Sequence, residues 1–363
     1  MPTKTVSAVI TIIFIAISNL TASEHVRNAL VWPELLEAAK LKIVWENQLP
    51  IKEGEKQDRL YVAGNYFYSF TDNNYIISLN KKDGNFIFGQ TYALPGFPIL
   101  GFDLFGDELI SIIGNNLLEI SAASGLKVSQ TPLQFGVSCP ATRNKTHFYI
   151  AGVDRRVHVF SADKKVEMFR GSADDNSIIN SIHATDDKVI FSTETGKIIA
   201  MKYDKPVQLW QFQARSGIAD ALVLDGGAVF AASRDTNIYA LDAQTGNLLW
   251  NYQTQAILGK RPKVTSTTLY QYVWGKGLTA LSRTDGQLQW KVPGGLELLS
   301  EKGGKSYVIT EDQKLVVMDN IQCKELYTVN FSDVTRYVSN TEDSRIYIGD
   351  DSGRVACLEP VEE

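Results

Sequence analysis

Tyr239-Ala-Leu-Asp-Ala-Gln-Thr-Gly-Asn-Leu-Leu-Trp250 reads as an alternating strand, a Thr-Gly turn and a second strand that carries an indole. Nearly the same order of residue types returns as Leu278-Thr-Ala-Leu-Ser-Arg-Thr-Asp-Gly-Gln-Leu-Gln-Trp290. With Leu241 as anchor, equivalent apolar anchors fall at Leu79, Ile120, Phe160, Met201, Leu281, Met318 and Leu358, at spacings of 41, 40, 41, 40, 40, 37 and 40 residues. A period near forty is that of a four-stranded propeller blade.

Two further positions keep that period. Nine residues after each anchor stands an aromatic, at Phe88, Phe169, Trp210, Trp250, Trp290 and Tyr327, and only Ser129 departs. Five residues after the anchor a glycine supplies the positive φ of a tight hairpin at Gly84, Gly125, Gly246 and Gly286. Lys165, Pro206 and Cys323 occupy that place in three other blades, which are expected to turn differently.

The eighth anchor, Leu358, has no aromatic downstream, because the sequence stops at Glu363. Trp45, in Lys42-Ile-Val-Trp-Glu-Asn-Gln48, is an aromatic without an anchor. If this first strand is the outer strand of the last blade, eight anchors meet eight outer strands and no sheet edge stays open. The expected fold is thus all-β, an eight-bladed β-propeller of four-stranded antiparallel blades over 42–359, closed by the N-terminal strand. Thr335–Asn340, Ser344–Asp350 and Gly353–Glu359 are the expected inner strands of the closing blade.

The ends read differently. Lys4 followed by the apolar run Val6–Ile17 and the small residues Thr21, Ala22 and Ser23 has the form of a cleaved export signal over 1–23, too short to span a membrane. The mature chain is expected to hold no transmembrane span. Residues 24–41 are a short N-terminal helix and lead-in, and 360–363 an acidic tail. No cysteine lies near the signal, so the sequence offers no lipoprotein acylation point; a periplasmic or secreted location follows as the expectation.

Composition narrows function by exclusion. The 363 residues are 44% hydrophobic, with 36 Lys+Arg against 41 Asp+Glu and a net charge of −5, so the clustered cations of a nucleic-acid binder are missing. Three scattered cysteines make no disulfide framework, and four histidines without ligand spacing make no zinc site. Cys139 and Cys357 read as buried hydrophobes. His147, His158 and His183 read as strand-surface residues, and no GxSxG elbow or phosphate loop occurs. Asn144-Lys-Thr and Asn330-Phe-Ser match glycosylation acceptors by coincidence.

The Ala240–Trp250 motif resembles the tryptophan-docking repeat of the quinoprotein, or PQQ-like, β-propeller superfamily, sharply in blades five and six and by spacing alone in blades two to four. Its enzyme branch implies PQQ with calcium, gripped beside two adjacent cysteines and a Glu/Asn/Asp ligand set. No such cysteine pair or ligand segment is present, and no catalytic residue is assigned. The chain is closer to the BamB-like non-enzymatic branch. That resemblance implies an exported scaffold for protein partners in the cell envelope, a monomer within a complex, with no cofactor; a PQQ-dependent oxidoreductase is the alternative.

Propeller crossings from one blade's outer strand to the next blade's inner strand rim one face. Here they include Tyr92–Phe97, Gln213–Gly217 and Gly259–Pro262. Arg215, Lys260 and Arg261 fall on successive crossings and are the candidate partner-binding residues, set against a reading as ordinary solvated charge.

Overall fold

The computed structural model describes residues 29–361. They form eight four-stranded antiparallel sheets, seven of them in sequence order: 57–91, 99–132, 142–171, 179–213, 223–253, 263–292 and 295–330. The eighth takes Arg336–Val338, Ile346–Gly349 and Arg354–Pro360 from the end of the chain and Leu41–Gln48 from its beginning. The first strand thus closes the ring as the periodicity predicts, with Trp45 opposite Cys357. The splice continues past the strands, where Val361 donates its N–H to the Lys40 carbonyl at 2.8 Å.

All eight anchors lie in the third strand of their blade, and for the first seven the residue nine further on lies in the fourth. The third and fourth strands share one irregularity in every blade, a register shift just before the anchor, as at Ala240/Leu241 and Ala280/Leu281. One residue of the outer strand is left unpaired there, so the strand bends and the aromatic can turn toward the next blade.

Packing across the seams explains the coupled spacings. A Cβ on Gly246 would stand 2.5 Å from Trp210, and one on Gly286 2.5 Å from Trp250. Gly125 meets Phe88 and Gly84 meets Trp45 in the same way. Each of these four aromatics therefore lies against the turn glycine of the following blade. The indole N–H then reaches the carbonyl two residues past that blade's anchor: Trp45 to Lys81 at 3.1 Å, Trp210 to Ala243 at 3.2 Å, Trp250 to Arg283 at 2.9 Å. Trp290 uses the Asn320 side-chain oxygen, at 2.9 Å. A blade alone is a sheet with two apolar faces, and this docking fastens each to its neighbour.

The expectation of different turns holds only for Pro206. Lys165 and Cys323 both sit at φ 54°, and Lys165 makes the same hairpin bond, N–H to the Ser161 carbonyl at 3.0 Å, that Gly246 makes to Asp242 at 2.8 Å. The hairpin dictates the left-handed residue, and a side chain adopts it at a cost of about 1–2 kcal/mol.

At Lys165 that cost is offset, because the preceding blade carries Ser129 instead of an aromatic. The space holds Glu119, its side chain 5% exposed, with Lys165 Nζ at 2.6 Å, Arg143 at 3.3 Å and the Ser129 hydroxyl as partners. Both cations lie over the Phe148 ring, at 4.5 and 4.3 Å. An ionic cluster replaces the docked ring at this one seam.

Within the lead-in, residues 24–28 lie outside the described residues, and the helix begins with Pro33 and Glu34 in its first turn. Pro33–Ala38 is helical, and Leu30, Val31, Leu36 and Ala39 are buried against blades seven and eight. It covers the place where blade eight, spliced from two chain ends, has no hairpin turn. The proposed signal, residues 1–23, lies outside the described residues. Among the described residues no helix is long and apolar enough to cross a membrane.

Candidate functional site: the axial channel and the crossing face

The first strands of neighbouring blades approach one another around the axis, as 57–63 does with 336–338 and 223–225 with 263–264. Alternate side chains of these strands point into the channel. Their sequence is more polar than that of the second and third strands, which are packed between neighbouring blades.

A cavity of about 250 Å³ opens on the axis, walled by His183, Leu222, Val223, Leu224, Arg261, Lys263, Val264, Ser339 and Thr341. Lys263 is held by Glu297 at 3.1 Å. Arg261 anchors its backbone N–H on Asp220, at 3.0 Å, and its guanidinium makes no ion pair among the described residues.

Burial depresses the His183 imidazole below its ordinary value, with Arg261 adding to that and Asp103 opposing it, so the ring is neutral at neutral pH. The Tyr61 hydroxyl donates to Asp103 at 3.1 Å; burial first, and that carboxylate second, push it well above the usual phenol range. Ser339 Oγ is buried in the wall with no protein partner.

The three cations singled out by sequence part company here. Arg261 faces the axial cavity, and Lys260 lies 3.8 Å from Glu297 and 5.1 Å above the Tyr272 ring. All three side chains are exposed, and the Arg215 backbone N–H is bonded to Asp235 at 3.0 Å. Sequence reasoning did not single out Tyr61, Asp103, Lys263 or Ser339. One signal was available: eighteen residues before the anchors Leu79, Met201, Leu241 and Leu281 stand Tyr61, His183, Val223 and Lys263.

His158 departs from the reading of it as a surface residue. It is 1% exposed, stacked on Phe135 at 3.6 Å, with Nδ1 2.7 Å from Glu167 and Nε2 3.0 Å from Asp154. Both ring nitrogens have partners, which is what lets an imidazole sit in the core. Arg170 completes the group with two bonds to Glu167, at 2.6 and 2.7 Å. Asn144 is also buried, its amide bonded to the Tyr149 hydroxyl and the Thr185 carbonyl, which leaves no room for a glycan.

Crossings and second-to-third-strand turns share one face of an antiparallel blade, and here that face carries outward apolar side chains. Leu94 and Phe97 lie on the crossing from blade one, Ile257 on the crossing into blade six, Val153 and Trp274 on turns. Trp274 is 70% exposed and Leu94 69%. The loops beneath them are pinned: Asn74 donates to the Leu94 and Phe97 carbonyls at 2.8 and 2.9 Å, and Trp274 N–H to Ile257 O at 3.1 Å.

With ring, closure and docking in place, the family can be read directly. The model of the family described as outer membrane protein assembly factor BamB matches residues 114–360. The chain belongs to this BamB family. The match runs from within blade two to the last strand of the chain, 354–360, and includes the docked Trp210, Trp250 and Trp290. No curated protein sequence matches the chain. Among solved structures it is similar to BamB from Moraxella catarrhalis, at 14% identity and TM-score 0.66, covering 88% of this chain and 97% of that one. It is equally similar to the computationally designed Ika8 protein, at 14% identity and TM-score 0.65, covering 86% and 98%. A designed propeller matching as well as a natural one shows that this likeness is one of fold.

Proposed function

We propose that the chain is an exported, non-enzymatic propeller that binds protein partners in the cell envelope and holds them in place. The observation that carries this reading is the set of apolar side chains presented outward on the pinned loops of the crossing face. Burying Leu94, Phe97, Ile257 or Trp274 is favourable only against another apolar surface, and loops already ordered lose little entropy on docking. Membership of the BamB family fits the same reading, since the family's name is that of an assembly factor. A periplasmic or secreted location, reached through the 1–23 signal, belongs to it.

The quinoprotein alternative finds less support. The axial cavity is walled by His183, Arg261, Lys263, Ser339 and Thr341 with no tryptophan, and the three cysteines are Cys139 and Cys357, buried in different blades, and exposed Cys323. Among the described residues no three His, Cys, Asp or Glu side chains converge as metal ligands. The residues present therefore do not fit the quinone–calcium arrangement.

The test is quantitative capture of envelope proteins by purified wild type, by Trp274→Ser/Ile257→Ser and by Phe97→Ser/Leu94→Ser. Saturable enrichment of a defined protein, lost in either double variant, supports the reading. Dye-linked alcohol oxidation with stoichiometric quinone uptake on adding PQQ and calcium would overturn it.

A further inference from the structure

We infer that the axial cavity is a binding site for a small oxyanion, carboxylate or phosphate, seated on Arg261. This goes beyond the docking reading, because the site lies on the axis and needs no protein partner. Arg261 is the one wall residue whose charge is unspent. Lys263 is neutralised by Glu297 at 3.1 Å, and of the nearby acids Glu342 is paired with Lys81 at 3.2 Å. Asp103 accepts the Tyr61 hydroxyl and does not come within ion-pair distance of the guanidinium.

Ser339, also in the wall, has a hydroxyl without a protein partner, but its oxygen is closed to solvent as it stands, so recognition falls to Arg261. A guanidinium fork suits the paired oxygens of a carboxylate or phosphate. The volume of about 250 Å³ matches about eight waters, so the guest is small. Val223, Leu224 and Val264 furnish an apolar wall for a short carbon chain.

Isothermal titration with inorganic phosphate and, separately, succinate at constant ionic strength tests this, with the His183 imidazole followed by NMR as a local reporter. Saturable binding of either probe with a shift of the His183 signals is expected, and the preferred probe identifies the source of the oxyanion. Arg261→Gln should weaken it about tenfold to a hundredfold, the loss of one charged hydrogen-bond donor. Arg215→Gln removes the same charge away from the cavity and should leave affinity unchanged. No saturation by either probe at about 10 mM, where even a millimolar site is filled, overturns the inference. So does equal weakening in the Arg215 and Arg261 variants, which would mark diffuse charge.

Discussion

Gly227 and Gly246 belong to the same blade and both lie in the left-handed region, at φ 80° and 73°, but only one of them faces an indole. A Cβ on Gly227 meets nothing within 4 Å; one on Gly246 would lie 2.5 Å from Trp210 Cε3 and 2.6 Å from Cδ2. Gly227→Ala should therefore cost only the backbone strain, about 1 kcal/mol. Gly246→Ala adds displacement of a ring that is 8% exposed, an overpacking cost of about 1–3 kcal/mol, for a sum near 3 kcal/mol. Trp210→Ala by itself should cost about 3–5 kcal/mol by cavity formation. The Ala243 carbonyl keeps a second donor in Lys188 Nζ at 3.3 Å, so loss of the indole N–H leaves no orphan acceptor. Once the ring is gone, Gly246→Ala should fall back to the strain value, giving a coupling of about 2 kcal/mol between the two sites. Urea unfolding at unchanged m-value reads all four corners of the cycle. If Gly246→Ala costs no more than Gly227→Ala, or its excess survives in Trp210→Ala, the aromatic–glycine seam is not what spaces these repeats.

Trp45→Ala, at the closing seam, should lower stability by about 3–5 kcal/mol, while Trp45→Phe should cost about 1 kcal/mol, because Arg345 still donates to the Lys81 carbonyl at 3.3 Å; urea midpoints separate the two. At the ionic seam, Lys165→Met leaves Glu119 with Arg143 as its remaining cation and should cost about 2–3 kcal/mol, whereas Glu119→Ala/Ser129→Trp/Lys165→Gly, which rebuilds a docked ring, should recover most of that loss in the same measurement. Cys323 is exposed and should label with a maleimide in the native protein, while Cys139 and Cys357, whose thiols burial pushes up to about 12, should label only on unfolding, as counted by mass spectrometry. Glu167 is held down to about 2, first by Arg170 and then by His158, so its contribution is present above the ordinary carboxylate range and is lost as pH falls from about 4.5 toward 2; Glu167→Gln should be less stable than wild type at pH 7 and indistinguishable from it at pH 2.

The ring was legible because its fastening lies in local sequence. Anchor, turn glycine and aromatic fall within ten residues of one another, and each is constrained by contact with the same three positions of the next blade, so the constraint repeats with the chain. Closure was legible as a leftover, with Leu358 lacking an aromatic and Trp45 lacking an anchor. The channel was not, because Tyr61, His183, Lys263 and Ser339 face a common space without touching the repeat-forming contacts, and nothing in the period fixes their identity. Lys165 and Cys323 misled for a related reason: the hairpin fixes φ, and the side chain is free to differ where a neighbour compensates. The environment of His158 was hidden because Asp154 and Glu167 come from a turn and an outer strand that only the folded blade brings together.

The seams are consequently unequal, and the inequality follows the sequence. Blades one, two, five, six and seven each receive an aromatic from the blade before, Trp45, Phe88, Trp210, Trp250 and Trp290. Blade three receives instead the Glu119 cluster. Blade four meets Phe169, which is half-buried, across the Pro206 turn, and a cavity of about 400 Å³ lined by Arg156, Arg170, Met201 and Pro206 remains beside it. These two departures border blade three, and blades two to four are where the repeat motif had thinned to spacing alone; into blade eight, which has no hairpin turn, blade seven sends the half-buried Tyr327. The turn position departs from glycine at both of these seams, as Lys165 and Pro206, and also at Cys323, where Trp290 is still docked. In the closed ring each blade, including the two at the chain's ends, has two neighbours, so no blade depends on a weak seam alone. Closure by the first strand therefore holds together a ring in which the seams on either side of blade three lack a docked indole.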